Sequence, residues 1–189
     1  MAGIVSEMWQ ETNDKGSGRS ARGGFFAAQD TQPYQPKGVL LGQDTPDSCV
    51  PACTRMLIYD QVQGAREKID FSETYLRHVF ATDSEGSQVG RIPAVLRGAG
   101  LSQYVYRQDL TFDDLKRAVG RGYVIARLAR RKPADAHTVI IEEIDDEFVA
   151  LRDPLPLAAG SAYKVAVGDF LTAWASPKTG WGQAVVVVE

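Results

Sequence analysis

The order of local patterns along the chain constrains its fold more than any single motif does. Helical spacing dominates from Gly38 to about residue 100, and strand-like alternation dominates after it. An apolar stripe at Cys49, Ala52, Cys53 and Met56 follows i, i+3, i+4, i+7 and predicts a helix to about Asp60. Pro51 is tolerated only in a first turn, where amides have no helical acceptor to lose, so this helix starts at Cys49, with Asp47 or Ser48 as its cap. Further helices are predicted over 71–79 with Ser72 as cap, over 92–97 ended by Gly98, and over 111–119. The last opens on a capping box of Thr111 and Asp114 and stops at Gly120. Strands are predicted at 102–106, 123–128, 137–141, 148–152 and 184–188, with a short helix around 169–174. Helices followed by sheet predict an α+β fold; a doubly wound fold would need strands alternating with helices throughout.

Residues 1–36 carry no period of 2 or 3.6 and are rich in small residues at 16–20 and 22–24. They read as a flexible arm, dispensable for folding, ahead of a single domain over 37–189. A chain of 189 residues, 44 % of them hydrophobic, can bury roughly 70 % of its unfolded surface and needs no disulfide or metal to hold a core. Cys49 and Cys53 are its only cysteines; four apart on one helix they close no useful disulfide, and no second pair exists for a zinc site. No metal or other cofactor is expected. Lys and Arg total 21 against 24 for Asp and Glu, a net charge of −3, which offers nucleic acid no general positive field. The apolar run at 184–188 is far short of the roughly 20 residues that span a bilayer. Glu7, Glu11 and Asp14 stand where a secretory signal needs an apolar stretch. The expectation is a cytoplasmic protein, or one delivered into a target cell's cytoplasm by a specialised route.

The chemistry-bearing residues lie at the junction of the two halves. A cysteine at a helix N-terminus meets unpaired amides and the positive end of the helix dipole, which favour thiolate over thiol. Cys49 has that position, although the ordinary reading of a lone cysteine is a small buried hydrophobe. A nucleophilic thiolate needs an imidazole, and only two histidines exist. His78 sits mid-helix beside Arg77 and reads as a surface residue; His137 opens a strand after a polar loop, where a side chain reaches a cleft from a rigid base. If Asp145 and Asp146 form the tip of the next hairpin, His137 lies opposite Pro154, and a register one shorter puts Asp153 opposite it. Either way a carboxylate comes within reach of the imidazole as an orienting third group, against the ordinary reading of a strand-end turn. Gln43, six residues before Cys49, can aim its amide at a growing oxyanion beside the Cys49 N–H; otherwise it is an exposed loop residue.

These residues carry a resemblance. Gln43, the run 44–53 around Cys49, the strand opening at His137 and the Arg152, Asp153, Pro154 triplet resemble the papain-like cysteine peptidases, specifically the branch that removes double-glycine leaders from bacteriocins. The resemblance spans roughly residues 38–176, with 122–126 resembling the strand before the histidine segment. It implies a papain-like fold with the nucleophile helix packed on a C-terminal antiparallel sheet. It also implies Cys49 as nucleophile, His137 as base, Asp153 as the orienting group and Gln43 as oxyanion donor, acting on a protein or peptide. Where leader peptidases usually carry glycine after the nucleophile, this chain has Val50, and no ATP-binding or membrane region follows. That variant looks more like papain-fold toxin domains of bacterial competition systems, which are held in check by an immunity protein.

Other motifs have bland readings. The basic run 127–132 reads as a solvated loop rather than an acidic-substrate groove, and Gly23 and Gly24 as linker glycines rather than a self-processing site. Trp174, Trp181 and Cys53 read as core or rim residues. Three functions stay open: a cysteine peptidase, a deamidase or acyltransferase using the same triad, and a catalytically silent papain-fold module that only binds.

Overall fold

The structure, a computed structural model, describes residues 24–129, 136–174 and 182–187. At its centre is a seven-stranded sheet built from β1 (Thr31–Pro33), β2 (Tyr104–Leu110), β3 (Val124–Ala129), β4 (Ala136–Ile144), β5 (Phe148–Asp153), β6 (Ser161–Ala166) and β7 (Gly182–Val187). The spatial order is β1-β6-β5-β4-β3-β7-β2, antiparallel throughout. The α-helices among the described residues are α1 (Cys49–Gln61), α2 (Glu73–Phe80), α3 (Ile92–Gly98), α4 (Phe112–Val119) and α5 (Val167–Trp174).

Both faces of the sheet are covered, which is why its strands read as nearly continuous apolar runs. Ile125, Ile140 and Val185 pack with Met56 and Leu57 of α1, Leu76 of α2 and Leu96 of α3. Their chain neighbours Val124, Ala126, Val139 and Ile141 point the other way, against Leu115 of α4 and Phe170 and Trp174 of α5. The architecture is α+β, with the Cys49 helix and its companions on one face of an antiparallel sheet. The second helical layer, supplied by α4 and α5, was not apparent from chain order alone. Helix starts follow the local chemistry: Ser72 accepts from the Tyr75 amide, and Thr111 and Asp114 form the capping box. Ser48 precedes α1 without capping it, because its hydroxyl goes to the Thr45 carbonyl and to Glu73 instead.

The structure departs from expectation in three further places in the fold. The first is the arm, whose packed part begins well before residue 37. Phe25 is buried in the core with Tyr163, and β1 adds to the edge of β6 through Thr31 opposite Val165 and Pro33 opposite Tyr163. An anchor of one aromatic and three strand residues is too short to show a period. Residues 1–23 lie outside the described part of the chain. The second is β6 itself, Ser-Ala-Tyr-Lys-Val-Ala, whose small and charged residues hide a strand.

The third is the β4–β5 register. The Asp145 carboxylate accepts from the Glu147 and Phe148 amides, and the Asp145 amide bonds the Phe148 carbonyl, so Asp146 and Glu147 form the two-residue tip. A bulge at Glu142 then shifts pairing again, and Ile140 faces Arg152. Asp153 is therefore neither opposite His137 nor one residue from that position; it lies diagonally across, and pairs with Ser161 on its other side. Glu142 is displaced for a reason. Its carboxylate takes the Lys37 and Gly38 amides at 2.9 and 3.0 Å and meets the fully buried Arg152 at 2.6 Å, while Arg152 also pairs with Asp60 at the end of α1 at 2.7 Å.

Candidate active site

Cys49 stands at the N-terminus of α1, and the loop leading to it is tied down at both ends. At its start, the Gln43 amide donates to the Pro154 carbonyl at 2.9 Å and the Gln43 carbonyl accepts from the Ala158 amide at 2.9 Å. At its end, Glu73 of α2 accepts from the Asp44 amide at 2.7 Å and the Ser48 hydroxyl at 2.5 Å. Arg77 pairs with Asp47 at 3.1 Å. The segment between Gln43 and Cys49 is thus held by α2 on one side and by the turn after Asp153 on the other. Glu73 carries no local signal of this role, because an acid at the first position of a helix is ordinary.

His137, second in β4, turns Nε2 to Asp153 Oδ1 at 2.6 Å, with both side chains fully buried. Asp153 is surrounded by donors: the Leu155 amide reaches Oδ1 at 2.9 Å, and the Tyr163 hydroxyl and Phe25 amide reach Oδ2 at 2.6 and 2.5 Å. Burial raises the Asp153 carboxyl, but the charge and hydrogen bond of His137, with Tyr163 and Phe25 behind them, bring it below its ordinary value. Burial lowers His137, yet Asp153 and then Cys49 carry it up to about 9. At Cys49, burial raises the thiol, while hydrogen bonding and charge from His137, helped by Thr138, leave it below the usual value. His137 Nδ1 is buried and makes no hydrogen bond. With Nε2 committed to Asp153, Nδ1 is the nitrogen left for Cys49. The combined effect favours a thiolate beside an imidazolium.

Gln43 is fully buried, not an exposed loop residue, and its Nε2 donates to the Thr45 carbonyl at 2.7 Å. That leaves one amide hydrogen for a further acceptor. Cys53, one turn inside Cys49, is buried and donates to the Thr138 carbonyl at 3.2 Å; burial pushes its thiol well above the ordinary range. His78 is exposed on α2. Tyr163 and Phe25 carry no local signal of their place beside Asp153, one lying on β6 and the other in the arm. Part of the 127–132 basic run, Gly23 and Trp181 fall outside the described residues. No group of His, Cys, Asp and Glu among the described residues is arranged to hold a metal.

A cleft of about 850 Å³ opens between the end of α2 with the loop after it (Phe80, Gly86, Val89) and the sheet (Tyr106, Ala136, Gln183). Ala136 stands in its wall, whereas Cys49 and His137 do not. Of the four candidate residues, Cys49 alone retains measurable exposure, 9 % against 0 % for Gln43, His137 and Asp153.

No protein-family model and no curated protein sequence matches the chain. Solved structures do match in fold. A double-glycine-motif protease from an AMS/PCAT transporter, solved in complex with its leader peptide, aligns over 82 % of this chain and 96 % of its own with a TM-score of 0.57 at 12 % identity. The peptidase domain of Streptococcus ComA, a bifunctional ABC transporter of a quorum-sensing pathway, aligns over 79 % and 98 % with a TM-score of 0.54 at 14 % identity. A C39-like peptidase from Bacillus anthracis aligns over 83 % and 94 % with a TM-score of 0.55 at 15 % identity. The fold of the chain is the papain-like fold of these peptidase domains.

Proposed function

We propose that this chain, built on the fold of the double-glycine peptidase domains, is a cysteine peptidase whose catalytic residues are Cys49, His137 and Asp153, with Gln43 as oxyanion donor. The carrying observation is the buried 2.6 Å bond from His137 Nε2 to Asp153, which leaves the ring's other nitrogen for the Cys49 thiol at the start of α1. The thiolate attacks the carbonyl carbon of a substrate peptide bond. The oxyanion formed takes the free Gln43 amide hydrogen and the Cys49 N–H. The imidazolium then protonates the leaving amine as the C–N bond breaks, leaving an acyl-thioester. Water attacks this ester while the imidazole takes its proton, the acid is released and the thiolate returns. Asp153 stays ionised and holds the ring.

On this reading the substrate is a protein or peptide segment. The resemblance of the Cys49, Val50, Pro51 run to toxin domains supports a finer reading, an effector of bacterial competition neutralised by an immunity protein. Growth arrest on cytoplasmic expression, absent for Cys49→Ala, tests that reading. The chemistry is tested by mass spectrometry after iodoacetamide treatment near pH 7. Selective labelling of Cys49 over Cys53, lost in His137→Ala, is expected. A Cys49 that labels no faster than a free thiol, whatever stands at 137, would support a silent binding module instead.

A further inference from the structure

The chain ahead of the domain contributes to the site itself. We propose that residues 24–26 form a strap that completes the catalytic centre, with Phe25 a positioning residue that holds the His137 ring and the Asp153 carboxylate in alignment; this rests on the triad reading above. The Phe25 ring stacks on the imidazole with 5.7 Å between centroids and 4° between planes. Its own backbone amide donates to Asp153 Oδ2 at 2.5 Å. One residue therefore restrains both members of the pair, the ring by its face and the acid by a hydrogen bond.

The two oxygens of Asp153 divide their partners. Oδ1 serves His137 and the Leu155 amide, and Oδ2 serves Phe25 and Tyr163. Without the Phe25 amide, Oδ2 keeps, among the described residues, the Tyr163 hydroxyl alone, and the carboxylate gains freedom to rotate away from Nε2. Without the ring, the imidazole has lost a flat neighbour that resists tilting. Phe26 backs the arrangement, edge-on to Phe25 at 5.1 Å and to Tyr163 at 6.3 Å.

Gly24 permits this close approach. A Cβ there would fall 2.6 Å from Tyr163 Cε1 and closer still to Asp153 Oδ2, inside any real contact distance. Gly24 thereby acquires a use other than cleavage. The nitrogen of the bond between Gly24 and Phe25 is held by Asp153, at the Nε2 end of the imidazole, as part of the wall of the site.

The test compares full-length Phe25→Leu, which keeps apolar bulk but loses the flat face, with Asp153→Asn and with the double variant. The rate of Cys49 alkylation by iodoacetamide at pH 7 is the readout, and circular dichroism confirms folding. Phe25→Leu is expected to slow labelling on the order of tenfold, a part of the roughly 10²–10⁴ that a positioned acid–base partner supplies. In the Asp153→Asn background it is expected to add little, because residues acting through one interaction are not additive. If Phe25→Leu does not fold, Gly24→Ala, which keeps the Phe25 side chain but whose Cβ pushes the strap away from Asp153, is read the same way. Parental labelling that depends on His137 together with an unaffected Phe25→Leu, or with losses that add in full, overturns the strap alone. Parental labelling indifferent to His137→Ala overturns the triad reading and the strap with it.

Discussion

A thiol and an imidazole that share a proton work only while one is ionised in each sense. His137, carried up to about 9 by Asp153 and Cys49, keeps its proton at neutral pH, and beside it the Cys49 thiol is held below its usual value, towards the thiolate. The pH profile of kcat/KM for peptide cleavage should therefore be a bell whose alkaline limb falls near pH 9. Asp153→Asn should move that limb to lower pH and cost less activity than His137→Ala, since an amide can still hold the ring. Stability follows the same groups. The contribution of His137, whose pKa is raised, is fully present below its unfolded value of about 6.5 and is lost as pH rises through 9. That of Asp153, whose pKa is depressed, is present above about 3.9 and lost as pH falls through its lower folded value. Urea midpoints measured across pH should show a plateau between these limits, with the alkaline fall reduced in Asp153→Asn. Gln43→Ala is expected to lower kcat by about 10²–10³, the scale of one oxyanion donor, with KM little changed. An unaltered kcat in steady-state assays would return Gln43 to a purely structural place in its loop.

Among elements, the approach to α1 matters most, because a helix N-terminus is useful only if the loop before it is still. Glu73 accepts from Asp44 and Ser48 and so spans the loop between Gln43 and Cys49. Burial raises its carboxyl against the pull of those two donors. Glu73→Leu strips both donors of their acceptor and is expected to cost about 1–3 kcal/mol for each group left unsatisfied, seen as a lower urea midpoint together with slower Cys49 labelling. Glu73→Gln, which retains an acceptor oxygen, should lie close to the parent in both measurements. A Glu73→Leu protein labelled at the parental rate would show that α2 does not steady the site. At this scale the sequence was legible where the signal was local. Pro51 placed the start of α1, and Thr111 with Asp114 placed the start of α4, because each depends on atoms a few residues apart. The hairpin register was not, since it turned on the Asp145 side chain displacing the tip and on Glu142 bulging towards Arg152.

For the molecule as a whole, the arm is the point at which reading by periodicity misjudged the energetics. Phe25 buries a full aromatic side chain, about 1.5–3 kcal/mol of hydrophobic stabilisation, and β1 adds a paired edge. Removing residues 1–36 should therefore lower the melting temperature by roughly 5–10 °C, at about 2–4 °C per kcal/mol for a domain of this size. A truncated protein melting within a degree or two of the parent would mean that the strap and β1 contribute little, and scanning calorimetry of both chains decides it. A strand of three residues cannot announce itself by alternation, and an aromatic anchor in a glycine-rich stretch has no periodic partner. Both gain their stability from Tyr163 and β6, contacts more than a hundred residues away in the chain.

The sequence by itself determined the class of fold and the order of its helices and main strands, because propensity, capping and periodicity act over a few residues and those signals agreed. It also marked Cys49 at a helix start, which needs only Pro51 and the apolar stripe. Tertiary structure alone decided which groups surround that cysteine. The 2.6 Å bond between His137 and Asp153 depends on a bulge and a shifted turn, and the burial of Gln43 on the turn after β5. The stacking of Phe25 on His137 depends on a segment that looked unstructured. Distances of this kind are set by long-range packing, where a one-residue shift in register moves a side chain to the opposite face, and no local pattern records them.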